Sequence, residues 1–128
     1  MTVNEDKVNQ LVGKFVGDLG ATLHAGMAVI GESLGLYKAM RGAGQMSPAD
    51  LAKKTDTHER YVREWLNSQA AGGYVEYDAA SHRYWLTEEQ AFVLADETSP
   101  AYLPGGFLLA VSATRRASSV RPSARSRA

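Results

Sequence analysis

The apolar residues of the first segment keep a helical rhythm. Val8, Leu11, Val12, Phe15, Val16 and Leu19 stand at i, i+3, i+4, i+7, i+8 and i+11, which predicts an amphipathic helix over residues 8–19. The same segment carries Gly13, Gly17 and Gly20, each costing a helix about 1 kcal/mol relative to alanine. Either these glycines are merely tolerated, or they let another helix come close. Residues 21–34 predict a second helix, with Leu23, Met27, Ile30 and Leu34 on one side and Ala25, Ala28 and Val29 elsewhere. So few charges imply burial on more than one side, against its own domain and against a partner chain or domain. Gly35 is its expected stop, and residues 36–40 follow as a short helical turn before the loop "RGAGQ".

The middle of the chain is punctuated by capping signals. Ser47, Pro48 and Asp50 announce a third helix, and the turn "KKTDT" leads to Thr57, the expected N-cap of a fourth. Tyr61, Val62, Trp65, Leu66 and Ala70 form the apolar stripe of that fourth helix, and Gly72 with Gly73 stops it. Two short helices joined by a tight turn make a helix-turn-helix. "YVEYD" and "RYWLT", separated by "AASH", alternate as the strands of a hairpin do. Thr87 with Gln90 then opens a capped helix to about residue 95, and Pro100 and Pro104 bracket a loop before the apolar "GGFLLAVSA". The predicted fold is mainly α: a winged helix-turn-helix with a two-stranded β-hairpin wing and long N-terminal helices.

Charge divides the chain in two. Residues 1–113 hold nine Lys and Arg against fourteen Asp and Glu, a net of −5, whereas residues 114–128 hold five arginines and no acid. The body, residues 1–113, reads as one winged-helix domain. The run "TRRASSVRPSARSRA" has one large apolar residue, Val120, too little to fold on, and is expected to be a disordered basic tail. It reads either as an arm for nucleic acid or as a non-native, frameshifted end, the second being preferred because "GGFLLAVSA" looks like a helix interrupted in mid-course. There is no cysteine, which excludes disulfides and thiolate chemistry. The polar, acidic start and the lack of a long apolar run make a cytoplasmic protein without a membrane segment the expectation.

No catalytic or metal-binding constellation emerges. Gly31-Glu32-Ser33-Leu34-Gly35 matches the nucleophile-elbow string, but that chemistry needs a strand before the serine and a large parallel sheet, so the match is read as the end of a helix. His24, His58 and His82 stand alone and are read as surface or cap residues. For DNA the candidates are Arg60 and Arg63 on the fourth helix and Arg83 at the wing. Glu59 and Glu64 share that helix, Glu76 and Asp78 share the wing, and the body is acidic. Duplex affinity rests mostly on phosphate neutralisation, so DNA is not the expected partner. Tyr74, Tyr77, Tyr84 and Trp85 are expected to pack on their own helices.

The succession "GESLGLYKAM", "MSPADLAKKT", "ERYVREWLNSQAAGGYVEYD", "RYWLTEEQAFVLAD" and "SPAYLPGGF" resembles the N-terminal winged-helix domain of bacterial class I S-adenosylmethionine (SAM)-dependent methyltransferases, including actinobacterial members sometimes labelled transcriptional regulators. The resemblance covers about residues 5–113. It implies that the first two helices form a homodimer and that the domain roofs the pocket for a small-molecule methyl acceptor in a following Rossmann-like domain. By position, Met27, Tyr102, Leu103 and Phe107 would lie nearest that pocket. The glycine-rich turn and acidic residue with which that family holds SAM are not found in these 128 residues. The chain alone is therefore expected to bind no cofactor and to transfer no methyl group. The alternative is a winged-helix transcription regulator using Arg60, Arg63 and Arg83.

Overall fold

The computed structural model describes residues 2–118. The chain begins with α1 (Glu5–Ser33), capped by the Asn4 side chain, which accepts from the Lys7 amide at 3.1 Å. This corrects the expected pair of N-terminal helices, which are one helix of 29 residues. Gly20 does not interrupt it, because a single glycine costs about 1 kcal/mol, no proline stands there, and the nearby Thr22 hydroxyl donates back to the Asp18 carbonyl at 2.9 Å. Gly35, at φ +70°, ends the run and turns the chain into α2 (Leu36–Met40). Gly31 and Ser33, from the elbow-like string, thus lie in the last turn of a helix.

The Ser47 hydroxyl and the Asp50 carboxylate form a reciprocal capping box, both bonds at 3.1 Å, at the start of α3 (Pro48–Thr55). The next helix, α4 (Glu59–Ala71), is capped not by Thr57 but by His58, whose Nδ1 accepts from the Arg60 amide at 3.3 Å. The Thr57 hydroxyl is engaged with that of Thr55 at 2.7 Å, which takes it out of the capping role. The hairpin pairs β1 (Glu76–Asp78) and β2 (Arg83–Trp85) antiparallel, with Tyr77 opposite Tyr84. Both strands are shorter than the alternation suggested. Met46 adds a bridge to Tyr84 through two bonds of 2.8 Å. A second capping box, Thr87 with Gln90, opens α5 (Glu88–Leu94). The last element, α6 (Pro104–Ser118), packs on α1 and continues past Ala113, where the tail was expected to begin. The remainder of that tail lies outside the described residues.

The core forms where α1, α2, α3 and α4 meet. Trp65, Tyr37, Leu36, Met40, Leu51 and Leu66 are essentially inaccessible to solvent. The Trp65 indole N–H donates to the Met27 carbonyl at 2.8 Å, tying α4 to α1. Close approach is possible because position 31 is glycine: a Cβ there would lie 2.3 Å from the Trp65 ring. The Tyr37 hydroxyl donates to Oε1 of Gln69, itself fully buried.

The outer face of α1 has no such cover. The expectation that residues 21–34 are buried on more than one side is not met within the chain, where Ala28 and Gly31 are the buried positions of α1. Leu11, Phe15 and Leu23 are each about two-thirds exposed, and Val12, Val16, Leu19, Ile30 and Leu34 are exposed as well.

Candidate functional site

The wing side of the helix-turn-helix was the first candidate. Arg60 faces Glu64 at 3.8 Å, Arg63 pairs with Glu59 at 2.5 Å, and Arg83 lies 3.8 Å from Asp50. The first two are i,i+4 pairs on the exposed side of α4, so the helix brings the carboxylates to the arginines by its own geometry. Tyr77 stacks on Tyr84 with ring centres 4.7 Å apart, and its hydroxyl meets Nδ1 of His82 at 2.8 Å. Tyr84 is buried, its hydroxyl donates to Asn67, and burial raises its pKa. This face carries balanced charge and aromatics that are largely engaged with one another.

A second region lies where α4 hands over to the wing. Gly72 and Gly73, the latter at φ +80°, turn the chain so that the Tyr74 amide returns to the Gln69 carbonyl at 3.0 Å. Tyr74 then stands between two side chains from distant parts of the sequence. The His24 ring meets it edge-on at 4.4 Å and 87°, and the Phe107 ring lies 6.3 Å away. One cleft of about 620 Å³ opens on one side, between α5 and α6, with Val93, Leu94, Leu103 and Ala110 in its walls. Another of about 610 Å³ opens between α1 and the end of α4, walled by Leu23, His24, Met27 and Ala71. Tyr74 and Phe107 line both. The loop carrying Leu103 is held by its amide, which donates to the Val93 carbonyl at 3.1 Å.

Of the four pocket candidates, three converge here: Met27 on the second cleft, Leu103 on the first and Phe107 between them. Tyr102 goes elsewhere. Its hydroxyl donates to Glu32 at 3.2 Å, and burial together with the Glu32 charge raises its pKa. It joins a polar clasp in which Lys38 pairs with Glu97, and Arg41 meets Asp96 at 3.2 Å. The lining residues that sequence reasoning did not place in a pocket include Tyr74, His24, Val93 and Ala110, and on the first cleft the polar Glu89 and Gln90. Among the described residues no group of three His, Cys, Asp or Glu is arranged to hold a metal. Among the same residues no helix is long and apolar enough to cross a membrane.

A family profile described as "Rv2258c-like winged HTH domain" matches residues 22–96. The chain belongs to that family. The match spans the core, the helix-turn-helix and the wing. No curated protein matches the chain. Similar solved structures include CalO1, a methyltransferase in calicheamicin biosynthesis in its SAH-bound form, at 22% identity and a TM-score of 0.64, covering 95% of this chain and 36% of that one. The mitomycin 7-O-methyltransferase MmcR matches at 20% identity and 0.64, over 80% of this chain and 30% of that one. The human N-acetylserotonin methyltransferase in complex with SAM matches at 14% identity and 0.61, over 96% and 38%. These are likenesses of fold. The chain spans only 28% to 38% of the length of these and related structures.

Proposed function

We propose that this winged helix is the N-terminal module of a SAM-dependent methyltransferase, serving to hold two copies together and to wall the pocket of a small-molecule methyl acceptor. The observation that carries the proposal is the outer face of α1, where apolar side chains from Val8 to Leu34 stand exposed along the helix. A contiguous apolar surface of this extent is a protein-binding surface or an aggregation liability. A second copy supplies a matching surface through an isologous contact. The clefts beside Tyr74 support the pocket role. The paired arginines of α4 and the wing count against duplex DNA as the partner. The proposal keeps the expected cytoplasmic setting, and it places SAM binding outside these 128 residues.

Sedimentation velocity tests the assembly. The chain is expected to run as a dimer and Leu19→Glu as a monomer; a monomeric wild type at micromolar concentration overturns this part of the reading. Calorimetry with SAM is expected to give no binding heat, and measurable binding would refute the placement of the cofactor site. In a mobility-shift assay, steeply salt-dependent duplex binding that survives removal of residues 114–128 would favour the regulator instead.

A further inference from the structure

We infer that residues 96–103 form a latched strap that sets how closely α6 lies against α1, the latch being the clasp of Glu32, Lys38, Arg41, Asp96, Glu97 and Tyr102. The inference goes beyond the function proposed above and needs neither the dimer nor the methyl acceptor.

The strap is fastened at both ends to the corner where α1 meets α2. At its start, Lys38 of α2 pairs with Glu97, and Arg41, which follows α2, donates to Asp96 at 3.2 Å. At its end, the Tyr102 hydroxyl donates to Glu32 in the last turn of α1 at 3.2 Å. Lys38 stands near both fastenings. The hydrogen bond to Glu97 holds its ammonium above the ordinary pKa, and the charge of Glu32 adds to that hold.

Between its ends the strap is stiff. The Thr98 amide and hydroxyl donate to the Asp96 carboxylate at 3.0 and 2.6 Å, the Ala101 amide to the Ser99 hydroxyl at 3.0 Å, and the Tyr102 amide to the Ser99 carbonyl at 3.2 Å. Ser99 itself is buried. With so many local bonds, a restraint on Tyr102 carries through to Pro104, where α6 starts.

That fastening matters because the packing of α6 is thin. Among its described side chains Pro104 is the buried one, Phe107 and Ser112 are half-buried, and Leu108, Leu109 and Val111 stand exposed although the helix runs along α1. Phe107 shares a cleft with Leu23 and Met27 of α1, so a swing of α6 away from α1 widens that cleft. Each bond of the clasp is weak, since exposed ion pairs contribute little and salt screens them. The latch can therefore open while the core around Trp65 stays folded.

Hydrogen–deuterium exchange of the full chain, read by mass spectrometry, tests the proposal. A helix of 15 residues detached from its neighbour is marginal in water, so release of α6 registers as faster exchange of its amides, with α4 as the control for global unfolding. Tyr102→Phe is expected to speed exchange in α6 about fivefold, the worth of one hydrogen bond, and to leave α4 unchanged. Lys38→Glu is expected to act in the same direction, and adding Glu97→Lys to bring the rate back to within about twofold of wild type. Raising sodium chloride from about 0.05 to about 1 M should also speed α6 in the wild type, because the Debye length falls to about 3 Å. Unchanged exchange of α6 in the single variants, equal acceleration of α6 and α4, no rescue by the charge exchange, indifference to salt, or an α6 already unprotected in the wild type overturns the latch.

Discussion

Single residues show where the fold is tight and where it holds avoidable cost. Gly31→Ala pushes a methyl group into the Trp65 ring, and overpacking of this kind costs about 1–3 kcal/mol; urea unfolding is expected to show the loss. Asp56 caps α3 with φ +52°, a conformation in which glycine is unstrained. Asp56→Gly should therefore stabilise the chain, by about 1 kcal/mol at most. Acid has a defined target in the capping box. Hydrogen bonds from the Ser47 backbone and side chain hold the Asp50 carboxyl below its ordinary pKa of 3.8, as those from Thr98 do for Asp96. A depressed folded pKa means stability that is complete above the ordinary value and lost as pH falls through the lower, folded one. Thermal melts between pH 5 and about pH 2 should therefore show a shallower acid limb in Asp50→Asn than in the wild type.

At the level of elements, α1 invites the most direct test. A Cβ at Gly13 or Gly17 would meet no atom within 4 Å in the isolated chain. Changing each to alanine should add helix stability of about 1 kcal/mol, seen in the melting temperature of a monomeric Leu19→Glu background. If the same changes weaken the dimer by sedimentation, the glycines seat the partner helix. The sequence disclosed elements in proportion to how local their causes are. Both capping boxes, Ser47–Asp50 and Thr87–Gln90, were legible because the residues that make them lie three apart. The boundary expected at Gly20 was not real, since glycine weakens a helix without ending it. His58 displaced Thr57 as a cap because a neighbouring hydroxyl, not the helix, took up the threonine. The clefts were legible only in part. Met27, Leu103 and Phe107 were nominated through a family resemblance, whereas the Tyr74 and His24 contact joins positions fifty apart and leaves no periodic trace.

On the scale of the whole molecule, the zero formal charge conceals an acidic body, and the arginines best placed for a duplex already face carboxylates. Duplex binding by residues 1–113 should be undetectable at physiological salt in a mobility-shift assay. Assembly predicts a different observable: the melting temperature should rise with protein concentration, because mass action stabilises a folded dimer. Differential scanning over a hundredfold range of concentration checks this, and an invariant midpoint speaks for a monomer. The unbroken length of α1 connects these questions. At 29 residues it is a rod of about 43 Å. One end is fastened to the Trp65 indole and carries His24 in the wall of a cleft, while the other reaches out with its apolar face bare. A rod without a joint acts as a lever. Its single span puts the exposed apolar face and one wall of the cleft on the same element, so any change in the tilt of α1 moves both.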